Sequence, residues 1–373
     1  MKNVYLDNAA TTPIRPEVID AITESMQANF GNPSSSHSFG RSAKSSLELS
    51  RKQVASYLNC SSAEIIFTSG ATEANNWLLR SAVQSLKILR IVTSKIEHHA
   101  VLHAVEALQK EFSIMVEYVN VKPNGQICNT HLVQILNDKM PTLVSLMHVN
   151  NETGVILDVN YVAKICKEHQ AFFHTDAVQS VGKFHLDLQQ IPIDFLAATA
   201  HKFHGPKGIG FSFVRKGLLM NAMIVGGEQE KGLRAGTEAI HNIVGMAKAM
   251  ELSYANLERE TAHIADLKKY CTEKFLQNFE GAKINGSETI FCILNITLPI
   301  LPEKAPLILF HLDMKGIAVS RGSACQSGSS KPSHVLAEML DSDDLQKPSI
   351  RISFSHYNTK AEIDFLIEVL KSV

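Results

Sequence analysis

A lysine set among small residues and histidines is the group in this sequence best suited to act as a nucleophile. Lys202 lies in Ala-Thr-Ala-His-Lys-Phe-His-Gly-Pro-Lys-Gly-Ile-Gly, residues 198–210, between an apolar run of strand length at 193–200 and a second at 209–214. Just past a strand end, beside Thr199, His201 and His204, its amine is expected to be partly desolvated and close to other cationic groups. Both effects lower its basicity and suit it to attack a carbonyl, as a Schiff-base lysine does. Asp176 follows a short apolar stretch ending Phe-Phe-His-Thr, so its carboxylate is expected at a sheet edge, in need of a cation or a proton. A protonated pyridine nitrogen would meet that need, and an acid and a lysine of this kind are what a protein contributes to pyridoxal phosphate chemistry. The run Ser-Gly-Ala-Thr-Glu at 69–73 offers backbone N–H groups and the Thr72 hydroxyl either to a phosphate or to a plain helix cap. His98 can stack on a flat ring or move protons, and Asn151 and Gln179 can hydrogen-bond ring substituents.

Placing these groups together requires a scaffold, and the chain repeats strand then helix. Runs at 65–68, 88–93, 114–119, 143–149, 171–174, 193–200 and 209–214 read as strands, with helices at 72–86 and 100–110. Ahead of them, Val18, Ile22 and Met26 recur every four residues after Pro16, which predicts a helix over 16–28, and 42–58 reads as a polar helix. Such alternation predicts an α/β fold with a mainly parallel sheet covered on both faces. Ligands in that architecture gather at the carboxyl ends of the strands, where 69–73, 94–99, 150–154, 175–179 and 199–202 are all polar. Residues 240–277 read as mainly helical and as a domain junction. The remainder, with strands at 291–298, 317–319 and 349–355 and helices at 304–314 and 360–370, reads as a small α+β unit.

The 373 residues, 45% of them apolar, suffice for one large domain and a smaller one. With 36 Lys and Arg against 37 Asp and Glu, the net charge of -1 gives no case for nucleic acid or an anionic membrane surface. There is no run of about 18 apolar residues to span a bilayer and no basic leader, so a cytoplasmic location is expected. The cysteines at 60, 128, 166, 271, 292 and 325 are scattered, without metal-site or disulfide spacing. Cys325 stands apart, in Ser-Arg-Gly-Ser-Ala-Cys-Gln-Ser-Gly-Ser-Ser at 320–330, a loop too polar and glycine-rich for core.

Taken in order, Ser-Gly-Ala-Thr-Glu, Glu-His-His, His-Val-Asn-Asn-Glu-Thr-Gly, His-Thr-Asp-Ala-Val-Gln and Ala-His-Lys-Phe-His-Gly-Pro-Lys-Gly resemble the cysteine desulfurases. So does Gly-Gly-Glu-Gln-Glu-Lys-Gly-Leu-Arg-Ala-Gly-Thr, ending at Thr237. These are fold type I pyridoxal phosphate enzymes of the class V aminotransferase superfamily, and the resemblance runs from Tyr5 to Arg351. It implies a mainly parallel seven-stranded sheet in a large domain, 14–255, and a small α+β domain made of 1–13 and 256–373 with a mobile cysteine loop at about 320–332. It implies Lys202 as the Schiff-base lysine, Asp176 on the pyridine nitrogen, His98 over the ring, and Asn151 and Gln179 on its oxygen side. Ala71, Thr72, Thr199 and His201 would cradle the phosphate, joined by Thr237 of a neighbouring subunit, hence a homodimer. Arg351 would clamp the substrate carboxylate and Asn32 would line the substrate side.

Cys325 distinguishes a desulfurase from an aminotransferase, which needs no thiol on a loop. The implied reaction converts L-cysteine to L-alanine with sulfur carried on Cys325 as a persulfide, for iron–sulfur cluster assembly or another sulfur-transfer route. Selenocysteine lyase and aminotransferase activities are the alternatives on this fold. No resident metal is implied, although Cys325 is a candidate transient ligand of an iron–sulfur cluster. Longer relatives continue past the position of Val373 into a tail that docks a scaffold protein, so the sulfur acceptor stays open between such a scaffold and a thiolation enzyme.

Overall fold

The computed structural model describes residues 3–301, 305–321 and 332–372. The chain begins with the short strand β1 (Val4–Tyr5), helix α1 (Pro16–Ala28) with proline in its first turn, and α2 (Ser38–Tyr57). There follow β2 (Ile65–Thr68), α3 (Ala71–Ser85), β3 (Arg90–Thr93), α4 (His99–Phe112), β4 (Met115–Tyr118), α5 (Asn129–Leu136), β5 (Thr142–Ser145) and α6 (Val159–Glu168). Strands β6 (Phe172–Asp176), β7 (Phe195–Thr199) and β8 (Gly210–Val214) complete a seven-stranded sheet of order β2-β8-β7-β6-β5-β3-β4. Strand β8 runs antiparallel to both of its neighbours, and the remaining pairs are parallel.

Successive strand residues feed opposite faces of this sheet. Ile65, Phe67, Val92, Val144, Leu196 and Ala198 join one apolar core, whereas Ile66, Ile91, Leu143, Phe195 and Ala197 join the other, as the two-residue repeat of a pleated strand dictates. Burial on both faces explains why these strands read as unbroken apolar runs.

The helical stretch predicted at 240–277 divides at Asn256 into α7 (Ile240–Ala255) and α8 (Leu257–Asn278). Next come β9 (Lys283–Ile284), β10 (Ile293–Thr297), α9 (Ala305–Met314), β11 (Ile317–Ala318), α10 (His334–Ala337), α11 (Ser342–Gln346), β12 (Ser349–Ser353) and α12 (Lys360–Lys371). A third core joins α8 and α12 to β10 and β12. The first residues of the chain belong to it: β1 lies parallel to β11, and Val4 and Leu6 are buried among its residues.

The strand expected at 143–149 ends at Ser145, and the chain beyond it turns toward the carboxyl end of the sheet. Helix α2 starts at Ser38, four residues earlier than expected, because His37 Nδ1 accepts the Gly40 N–H and caps it. Helix α6 was not foreseen, although Asp158 caps it and Val159, Val162, Ala163 and Cys166 are buried at helical spacing. Among the described residues no helix is long and apolar enough to cross a membrane.

Candidate active site

A cavity of about 430 Å³ opens at the carboxyl ends of the parallel strands. The loops after β2, β3, β5, β6 and β7 line it with Thr72, His98, Asn151, Asp176 and Lys202, while Ala9 and Ala10 close it from the N-terminal segment and Arg351 from β12.

Lys202 ends the one-turn helix Ala200–Lys202 that follows β7. Its Nζ donates to the carbonyl oxygens of Ala9 at 2.6 Å and Ala10 at 2.8 Å. Burial, reinforced by the charges of Arg351 and Lys183, pulls the amine down to about 7. Near neutrality a large share of it is therefore the free base. His201, whose Nδ1 lies 3.1 Å from Thr11 Oγ1, is pushed down to about 4, first by burial and then by Lys202. It is a neutral group at working pH.

Asp176 is buried at the end of β6. Its Oδ1 accepts the Val178 N–H at 3.0 Å, and its Oδ2 accepts Nδ2 of Asn75 at 2.7 Å. Both donors are neutral groups, and Asp176 also lines the cavity. Gln179 donates to Ala9 O at 2.9 Å and accepts from Lys183 Nζ at 3.1 Å, which joins it to the wall that holds Lys202.

His98 is the N-cap of α4: Nδ1 accepts the Ala100 N–H at 3.1 Å, so in the neutral ring Nε2 carries the proton. Burial holds its basicity below the usual histidine range, against the pull of Asp176. The preceding Glu97 is buried, with Oε1 accepting from Ser94 Oγ at 2.8 Å and from Met147 N–H at 3.1 Å. Burial pushes this carboxyl up to about 8. Its stabilising contribution is complete below the unfolded carboxyl range near pH ~4.3 and is lost as pH rises through 8. Glu97→Gln removes that loss. Denaturant midpoints of the variant should pull ahead of the native protein between pH 5 and 8, by about 1.4 kcal/mol per pH unit. A constant difference across that interval would show that the carboxyl is not buried neutral.

Arg351, 1% exposed, is held from two sides. Nη2 donates to Asp7 Oδ1 and Nη1 to the Asn151 carbonyl, each at 2.8 Å. Its Nε–H is buried with no acceptor among the described residues, and Arg351 also lines the cavity. Ala71 and Thr72 open α3, whose first-turn N–H groups face the same cavity together with Thr199 and His201. Strand β8 passes close under this helix start. A Cβ at Gly210 would lie 2.9 Å from Gly70 Cα and would clash with the Ala198 carbonyl, so only glycine fits.

Asn32 and Thr237 are exposed and do not line the cavity of a single chain; Asn32 Oδ1 accepts the Ser34 N–H at 2.9 Å. Cys325 lies outside the described residues. The residues flanking its segment are tied to the site. Ser320 and Arg351 exchange backbone hydrogen bonds at 3.2 and 2.6 Å, and His334 Nε2 donates to the Glu97 carbonyl at 3.0 Å. Sequence reasoning had not assigned Asn75, Asp7 or the Ala9 and Ala10 carbonyls to the site. Asn75 had a signal, an amide among the apolar positions of α3; the carbonyls had none.

The chain matches the family described as Aminotransferase class-V over residues 4–366. It belongs to the class-V aminotransferase family. Within it, the chain is 39% identical over 374 residues to the cysteine desulfurase IscS of Dictyoglomus turgidum, an alignment covering 100% of this chain and 94% of that protein. A solved NifS-like protein superimposes with a TM-score of 0.91 at 34% identity, covering 100% of both chains. The structure described as SspA in complex with cysteine gives a TM-score of 0.82 at 30% identity, covering 95% of this chain and 100% of that one. Enzymes of this family depend on pyridoxal 5'-phosphate, and the cavity fits it. A buried amine of lowered basicity, a buried acid that accepts from neutral donors, and a helix start without a side-chain cap match an aldehyde, a pyridine nitrogen and a phosphate respectively.

Proposed function

We propose that this protein is a cysteine desulfurase that releases L-alanine from L-cysteine and takes the sulfur onto Cys325 as a persulfide, for iron–sulfur cluster assembly or another sulfur-transfer route. The observation that carries the reading is the convergence of the buried Lys202 amine, the buried Asp176 and the Arg351 guanidinium on one cavity. Backbone hydrogen bonds between Arg351 and Ser320, where the cysteine segment begins, support it. We read 14–255 as the cofactor-binding unit, and 1–13 with 256–373 as the unit that brings Arg351 and Cys325.

Ala71, Thr72, Thr199 and His201 would hold the cofactor phosphate, Asp176 the pyridine nitrogen, and Asn151 and Gln179 the ring oxygen. Thr237, exposed on its own chain, would serve the site of a second copy in a homodimer. When bound, pyridoxal phosphate supplies an electron sink for charge that develops at the substrate α-carbon. Arg351 would pair with the substrate carboxylate, with Asp7 and Asn151 fixing the guanidinium plane. Lys202, as the free amine, takes the α-proton. The Cys325 thiolate attacks the substrate sulfur. An S–S bond forms, the Cβ–S bond breaks, and its electron pair stays on Cβ, which takes a proton to become the methyl group of alanine, while the α-proton held by Lys202 returns to the α-carbon. His98, with the proton on Nε2, would supply the one that Cβ takes. Asn32 would border the substrate side, and the persulfide then passes to an acceptor protein.

The test is a stoichiometry. Protein loaded with pyridoxal phosphate and given L-cysteine with a reductant should yield alanine and sulfide one for one, and Cys325→Ser should lose both by roughly 100-fold or more. Equal turnover in the variant, or alanine formed only when a 2-oxo acid is added, would sink the assignment.

A further inference from the structure

Helix α3 turns one face to the sheet, and Asn75, Leu78, Leu79 and Ala82 on that face are all 0% exposed. Three of them are apolar and pack in the core with Ile91, Phe195 and Ala197. Asn75 is an amide where the pattern asks for a hydrocarbon. Its Nδ2 donates to Asp176 Oδ2 at 2.7 Å, while its Oδ1 is buried without a hydrogen-bond partner among the described residues. A buried amide with an unmet oxygen weakens the fold, and an apolar side chain would suit the helix pattern better. A residue kept against that cost points to a role outside folding.

The role follows from what the bond connects. Asp176 Oδ1 is held by the Val178 N–H from its own loop, and Oδ2 is held by Asn75 from a separate element. The first turn of α3 faces the cavity as the phosphate cradle, while Asp176 faces it as the partner of a ring nitrogen. Three residues past Thr72, Asn75 fixes the distance between the two ends of one ligand. We infer that Asn75 is a positioning residue, aiming the Asp176 carboxylate at the cofactor nitrogen and locking it to the helix that binds the phosphate. The inference rests on the pyridoxal phosphate site of the proposed function. Asn75 touches neither substrate nor reacting atoms; it acts through Asp176.

Full-length Asn75→Leu and Asn75→Asp test it. Three readings are needed: the dissociation constant of pyridoxal phosphate, titrated into cofactor-depleted protein by its visible absorbance, the thermal midpoint of the depleted protein, and kcat and KM for L-cysteine. Asn75→Leu should weaken cofactor binding roughly 10- to 100-fold, the worth of a hydrogen bond to a charged group. Any fall in its thermal midpoint should match that of Asn75→Ala, which keeps no donor and adds no bulk, and kcat should fall while KM moves by less than roughly 3-fold. Asn75→Asp keeps the shape but sets a second carboxylate against Asp176, so it should bind the cofactor more weakly than the leucine variant. Native cofactor affinity and kcat in Asn75→Leu, or a lowered midpoint with unchanged affinity, would overturn the inference and leave the site assignment standing. A native protein that takes up no pyridoxal phosphate would overturn both.

Discussion

Lys202→Met will cost the enzyme at least roughly 1,000-fold in alanine formation, since it removes the nucleophilic amine and the base together. The same substitution will change how stability depends on pH in the cofactor-free protein, which separates chemistry from folding. Burial among cations holds the folded amine near 7, whereas an unfolded lysine titrates near ~10.4. Between those values the unfolded chain binds one proton more than the folded one. The contribution of Lys202 to native stability is therefore complete above the unfolded value and is lost as pH falls toward 7, with a slope of about 1.4 kcal/mol per pH unit. Lys202→Met has no such slope. Urea titrations of both proteins at pH 7.5, 8.5 and 9.5 should show the native form catching up with the variant as pH rises. Parallel lines would mean an amine titrating as in water, and the account of its nucleophilicity would fall.

Mild acid should unfold the protein. His148, His174 and His204 are buried and neutral, pushed to about 4, 3 and 3 respectively, with desolvation the leading cause in each. His174 is 0% exposed and its Nδ1 lies 2.8 Å from Ser145 Oγ; His204 Nδ1 donates to the Pro13 carbonyl at 2.9 Å. Each is depressed below the unfolded value near ~6.5, so the stability it represents is present above that pH and is lost as pH falls toward 4 and 3. Three such protons give a slope of about 4 kcal/mol per pH unit, against total stabilities of about 5–15 kcal/mol for ordinary domains. Circular dichroism melts between pH 7 and 4.5 should show the midpoint collapsing, with His174→Leu less sensitive than the native chain. A midpoint level to pH 4.5 would exclude neutral burial of these rings.

Much of the sheet was legible because its strands are buried on both faces, and apolar runs as short and unbroken as 65–68 and 209–214 suit a strand covered on both sides better than any surface element. Lys202, Asp176, His98 and Thr72 were legible as well, since a sheet of this kind gathers the polar ends of its strands. Other parts depend on partners far away in sequence. Nothing local marks the carbonyls of Ala9 and Ala10 as the rest for a lysine 193 and 192 positions on. Asp7 gains its meaning only from Arg351, 344 positions away. The strand expected through 149 stops at Ser145 because the site draws Met147, Val149 and Asn151 out of the ladder, a tertiary demand that propensity does not carry.

The pairing of β1 with β11 has a bearing on how the molecule is made. On the ribosome the first dozen residues emerge first and find their places last: Val4 waits for Ile317, and Asn8 for Ser353, 345 positions behind it. The large sheet can fold during synthesis, but its lysine has no carbonyls to rest on until the end of the chain draws the beginning into place. Closing so long a loop costs only slightly more entropy than a short one, so the burden falls on timing and little on final stability. A nascent chain halted before β12 would hold the central sheet and remain inert. Competence to bind and turn over substrate thus waits until β11 and β12 have been made.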